Sequence, residues 1–156
     1  MTNTLTKIRV EQTPDGKWRG LTDENYANVA EKHIQENQDA DGFFVAKHPR
    51  TNHVTDKLTT SKIRTLLDLV NKIYSQLFYS DQETLSADLL SDIQYLKMKI
   101  AYEAGRDKSV KNMVDKTWIY KALATNHIKT KTEFLLYARY VESLVAYFKF
   151  YGGRDN

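Results

Sequence analysis

At 156 residues the chain has room for one sizeable hydrophobic core, and it has no cysteine, which excludes disulfides, thiol catalysis and thiolate metal sites. The formal charge of +3 is too small to announce a nucleic-acid binder by composition. Two prolines, ten tyrosines and abundant Lys, Leu, Ala and Glu favour helices over sheets.

Residues 1–21 read as an arm or a short hairpin. Ile8 and Val10 alternate with charged neighbours, and Pro14-Asp15-Gly16 is a turn signal. Met1 to Asn28 holds no apolar run suited to a signal peptide or membrane span, so the expected location is cytoplasmic, with no membrane contact. Thr22 is the expected N-cap of a first helix carrying Tyr26, Val29, Ala30 and Ile34 and ending near Asn37. From Gln38 to Lys57 a polar stretch, interrupted only by Phe43, Phe44 and Val45, reads as a long loop that is mobile or ordered by a partner.

The remainder is strongly periodic. Leu58 and Thr59-Thr60-Ser61 open a helix whose stripe is Ile63, Leu66, Leu67, Val70, Ile73, Tyr74 and Leu77. Thr84 or Ser86 caps the next, with Leu89, Leu90, Ile93, Leu96, Ile100 and Ala104 on one face and Gly105 as its expected stop. A third segment runs from Lys108 to Asn126. The last spans Thr130 or Thr132 to Tyr151, and its apolar arc covers about half the circumference. Leu136, Tyr140 and Tyr147 widen that arc, which places the helix centrally or at an interface with another subunit. Residues 22–156 are thus expected to form a single domain. The expected fold is all-α, a bundle of about five helices with a less regular N-terminal arm.

Catalytic chemistry is not supplied. The four histidines show no helical ligand spacing, and His48, His53 and Asp56 or Asp88 and Asp92 are too incomplete for a metal site. There is no nucleophile elbow and no Gly-rich phosphate loop, so neither an enzyme nor a cofactor is expected.

Charge is uneven. Residues 1–54 carry seven Lys/Arg against eight Asp/Glu, and residues 55–156 carry sixteen against twelve. The cations of interest are Lys57, Lys62, Arg64, Lys97, Lys99, Arg106, Lys108 and Lys111. Lys62 and Arg64 stand in the first turns of a helix, where the dipole favours acids, beside amides that a phosphate uses equally well. Pattern alone leaves two readings open: a nucleic-acid-binding surface, or an interaction bundle that oligomerises without nucleic acid. A helix-turn-helix reader fits poorly, because no short turn precedes a basic recognition helix. The chain also writes one ending twice, Ala101-Tyr102 to Gly105-Arg106-Asp107 and Ala146-Tyr147 to Gly153-Arg154-Asp155. Both tyrosines are expected to pack inward. The Arg106 copy lies within the basic cluster, and the Arg154 copy reads as an ordinary terminus.

Three segments in order, Lys57 to Arg64, Lys97 to Arg106 and Phe134 to Gly153, resemble the small α-helical subunit of type III-A CRISPR–Cas (Csm) effector complexes. The resemblance covers residues 56–153. It implies a non-catalytic RNA-binding scaffold whose copies stack in a filament beside the backbone subunits and the large subunit, with a possible homodimer in isolation. It implies contact with the phosphates and riboses of paired crRNA and target RNA, without sequence preference. Carried onto this chain, the RNA contacts are Lys57, Lys62, Arg64, Lys99, Arg106 and Lys108, with Lys97 and Lys111 beside them.

Overall fold

The computed structural model describes residues 6–155, so the first five residues of the expected arm lie outside the described residues. Of the two readings left open for the arm, the hairpin forms. β1 (Lys7–Gln12) pairs antiparallel with β2 (Trp18–Thr22) around a turn in which Gly16 takes φ +85°. Gly20 is required here: a β-carbon on it would lie 1.8 Å from the Ile8 carbonyl oxygen. A two-stranded ribbon is marginal alone. This one is held by burying Ile8, Val10 and Leu21 in the common core.

Thr22 closes β2 instead of capping a helix. Its amide donates to Asn25 Oδ1 at 2.8 Å, and α1 (Tyr26–Gln35) begins three residues later than expected from that cap. The polar stretch that follows is ordered by this chain itself. It folds into two small antiparallel ribbons, β3 (Gln38–Asp39) with β4 (Gly42–Phe43), and β5 (Ala46–Lys47) with β6 (Val54–Asp56). Phe43 and Phe44 are buried, and the Phe44 and Val45 carbonyls accept from Asn112 Nδ2 at 3.3 and 3.2 Å.

α2 (Thr60–Phe78) is capped by Thr59, and α3 (Ala87–Arg106) by Ser86. Gly105 does not stop α3, because it remains helical. The stop is Asp107, extended at φ −146°, which also caps α4 (Lys108–Lys116) by accepting from the amides of Ser109 and Val110. The single segment expected over 108–126 is broken. Thr117 turns extended after Lys116, and helix resumes only as the one-turn α5 (Lys121–Ala124).

α6 (Lys131–Phe150), opened by a Thr130–Glu133 capping box, explains both that break and its own broad apolar arc. It is packed by α1, α2 and the hairpin. The Tyr140 hydroxyl accepts from the Trp118 amide at 2.9 Å, and the Tyr137 hydroxyl donates to the Ile119 carbonyl. Two buried phenols therefore satisfy backbone groups freed between α4 and α5. Among the described residues the fold is an all-α bundle of six helices, five of them longer than a single turn, with a β-rich N-terminal arm.

Tyr140 also reaches His33 Nδ1 at 2.7 Å. Burial holds the His33 imidazole below its usual 6.5, with Lys121 and Lys32 acting the same way and Glu36 and Glu11 against it. A neutral ring in the fold and an ordinary one in the unfolded chain make stability complete above about pH 6.5 and progressively lost below it. The thermal midpoint is expected to fall as the pH drops below about 6.5, and to fall less steeply in His33→Gln.

Candidate nucleic-acid interface

The first turn of α2 is tied down from two directions, both by the repeated Gly-Arg-Asp. In the first copy, Asp107 Oδ2 lies 2.9 Å from Lys62 Nζ, which also donates to the Lys57 carbonyl at 2.7 Å and Ser109 Oγ at 3.2 Å. Burial, the largest influence on the Asp107 carboxyl, pushes its pKa up. Hydrogen bonds from Ser109, Lys62 and the Val110 amide outweigh it, and the carboxyl titrates below its ordinary value.

In the second copy, the Arg154 carbonyl accepts from Thr60, from its amide at 2.9 Å and its hydroxyl at 3.3 Å. Asp155 pairs with Lys149 at 3.1 Å, and hydrogen bonds from Lys149 and then Thr60 lower its pKa. Gly152 takes the left-handed φ of +100° that turns the chain back. At Gly153 a β-carbon would stand 2.2 Å from the Phe148 ring. The Arg154 ending is therefore docked onto α2, which corrects its reading as an ordinary terminus. The only sequence signal for this was the repeat itself.

Each aspartate engages a lysine, and each arginine stays exposed. Lys57, Arg64, Arg106, Lys108 and Arg154 are exposed around this one corner. Among the described residues Lys57, Arg64, Lys108 and Arg154 have no ion pair, and Arg106 has only Glu103 at 3.7 Å. Two of the three free amides at the α2 terminus, those of Thr60 and Lys62, are already engaged and not open to an anion as the sequence suggested. Thr60 donates to Arg154, and the Lys62 and Ile63 amides donate to the Thr59 side chain and carbonyl.

Along α3 the corner continues as a ladder. Tyr95, Lys99, Tyr102 and Arg106 share one face. Lys99 Nζ lies 6.0 and 5.6 Å from the Tyr95 and Tyr102 ring centroids, and the Arg106 guanidinium lies 5.7 Å from Tyr102. Both tyrosines are 59% exposed, so Tyr102 points outward and not inward. Ile93, Leu96, Ile100 and Ala104 occupy the buried side.

The other expected contacts are placed differently. Lys62 is committed to Asp107, and Lys111 is clamped by both Asp115 oxygens at 2.7 Å. Lys97 leans over the Tyr120 ring at 5.9 Å, away from the ladder. Leu136 and Tyr140, expected at a subunit interface, are 2% and 0% exposed inside this chain's own core, because α6 is surrounded by its own bundle. Tyr147 is half-buried, stacked on Tyr151 beside the 75%-exposed Phe150. His48 serves a turn: its Nδ1 accepts from the Arg50 amide at 3.1 Å. Among the described residues no three His, Asp or Glu side chains converge on a metal position.

Residues 45–154 match the family described as Csm2 Type III-A. The chain is 38% identical over 135 residues to the CRISPR system Cms protein Csm2 of Streptococcus thermophilus, covering 86% of this chain and 98% of that one. It is 47% identical over 95 residues to the same-named protein of Enterococcus italicus, covering 60% and 68%. With that of Mycobacterium tuberculosis it shares 31% over 99 residues, covering 64% and 79%.

Proposed function

The chain belongs to the Csm2 family, a non-catalytic subunit of the type III-A CRISPR complex, and from that membership we propose that it holds paired crRNA and target RNA by their backbones. Copies stack in a filament beside the backbone subunits and the large subunit, in the cytoplasm. Residues 22–156 act as the RNA-binding domain and residues 1–21 as its arm. Among the described residues no helix is long and apolar enough to cross a membrane.

The observation that carries this reading is the corner of five exposed cations around the α2 start, Lys57, Arg64, Arg106, Lys108 and Arg154. Cations on phosphates give affinity without sequence preference, and base pairing supplies specificity. Lys62 supports the site by fixing α2 against the α3–α4 corner and is not itself a phosphate contact. Exposed aromatic side chains, Tyr79 at 84% and Phe150 at 75%, favour a second reading in which the bundle only associates with protein. Purification of the tagged chain from its own cells, with mass spectrometry and sequencing of bound RNA, separates the two. A small crRNA recovered with several other subunits is the expected result. Recovery of protein partners without RNA supports the second.

A further inference from the structure

A strongly basic concavity lies elsewhere, between the hairpin and α1. It is a groove of about 920 Å³ whose lining includes seven lysines and arginines against two carboxylates, Glu11 and Glu36. Each carboxylate engages one cation, Glu11 with Lys121 at 3.7 Å and Glu36 with Lys32 at 3.8 Å. Lys7, Arg9, Lys17, Arg19 and Lys116 remain exposed, without an ion pair among the described residues. The fold builds this density of charge. β1 turns Ile8 and Val10 into the core and therefore presents Lys7 and Arg9 outward, and Arg19, exposed near the start of β2, adds its charge to the lining.

One aromatic completes the groove. Trp18 is 44% exposed, yet it is held in place. Arg9 lies 5.8 Å from its ring centroid, and its ring meets that of His127 edge-on at 5.7 Å. His127 is in turn hydrogen-bonded to the Arg9 carbonyl at 2.9 Å. Of the lining, only Lys116, Trp118 and Lys121 fall inside residues 45–154, the span of the family match.

We propose that this groove is a second RNA site, specific for single-stranded RNA, in which the five cations follow the phosphates and Trp18 stacks on an unpaired base. A track of cations with a fixed aromatic is the arrangement that binds single strands, since every base offers a face to stack on. Paired RNA keeps those faces inside the helix. An acidic peptide would use the cations and leave the indole idle. The proposal rests on the reading that this chain works on RNA, and it adds a location and a strand state to it.

The test uses the full chain, a labelled oligouridine and a labelled RNA duplex, with anisotropy for affinity and tryptophan fluorescence for Trp18. Trp18→Phe assigns the signal against buried Trp118. Lys7→Ala with Arg9→Ala and Arg19→Ala is expected to weaken oligouridine binding about tenfold or more and to reduce its log–log salt slope by about two. These side chains are exposed, and an unchanged circular dichroism spectrum confirms that the variant folds. Arg64→Ala with Arg106→Ala and Lys108→Ala is expected to leave the fluorescence midpoint within about twofold and to weaken the duplex.

Unchanged oligouridine affinity in the hairpin variant overturns the groove proposal. So does quenching of Trp18 by polyglutamate at the same concentrations as oligouridine. If the corner variant abolishes binding of both RNAs while the hairpin variant keeps both, the groove proposal fails and the corner reading stands. If the corner variant leaves duplex binding unchanged while the hairpin variant loses the single strand, the corner reading fails and the groove stands.

Discussion

Replacing Asp107 by alanine is expected to lower the unfolding free energy by about 2–3 kcal/mol, read as a shift in the urea midpoint at constant slope. The carboxylate does three tasks at once. It caps α4 through the Ser109 and Val110 amides, accepts from the Ser109 hydroxyl at 2.6 Å, and pairs with Lys62. An N-cap alone is worth about 1 kcal/mol. The rest comes from leaving buried Ser109 and half-buried Lys62 without their partner. Lys62→Ala is expected to cost less, about 1 kcal/mol, because Asp107 keeps its amide donors. The double variant should cost less than the two single effects added together, since the two residues share one interaction. With the Asp107 carboxyl below its ordinary value, its contribution is complete above about pH 4 and is lost as the pH falls through the folded pKa. A Lys62→Ala protein as stable as the parent but weaker on RNA would return Lys62 to the list of phosphate contacts.

Arg64→Ala with Arg106→Ala and Lys108→Ala is expected to leave stability within about 0.5 kcal/mol and to weaken binding of an RNA duplex about tenfold to a hundredfold at low salt. All three side chains are exposed, and among the described residues the only ion pair they make is the long Arg106–Glu103 contact. Each phosphate contact removed should flatten the dependence of log affinity on log salt by about one. The weakening should be equal across RNA sequences, because no base edge is read. Lys111→Ala serves as the matched control: it removes a cation from the same region that is already neutralised by Asp115, and little change is expected. Affinity insensitive to salt, or equal loss in the control, contradicts the corner as the contact surface.

The helices were legible in the sequence wherever an apolar stripe met a capping residue. Thr59, Ser86 and Thr130 cap α2, α3 and α6, as their hydroxyls and spacing suggest. The misses share a cause: local preference was overridden by a distant partner. Gly105 had the composition of a helix stop, but Asp107 ends α3 because its carboxylate is needed by α4 and Lys62. The stretch from Gln38 to Asp56 looked like a loop because its strands are only two or three residues long and are held by Phe43 and Phe44. Tyr140 looked like an interface residue because sequence gives an apolar arc but not what covers it. Its actual occupants, His33 and the Trp118 amide, lie 107 and 22 residues away.

The same holds for the candidate site. Its cations were visible as residues, but which ones remain unpaired depended on aspartates brought together by the fold. Lys62 is taken up in this way by Asp107 and Arg154 is added, whereas Lys111 pairs with Asp115 one turn along its own helix, a spacing already present in the sequence. The hairpin groove gave no signal at all. Residues 1–54 carry a net charge of −1, and their cations gather on one side only when β1 and β2 pair.

The most direct test of the backbone-contact reading is ultraviolet cross-linking of the assembled complex with crRNA and target RNA, followed by mass spectrometry of RNA-bearing peptides from this chain. The expected result is cross-links within Lys57–Arg64 and Arg106–Lys108, present for any guide sequence. RNA-bearing peptides confined to other parts of the chain, or none from this chain in a complex that retains its crRNA, would contradict it.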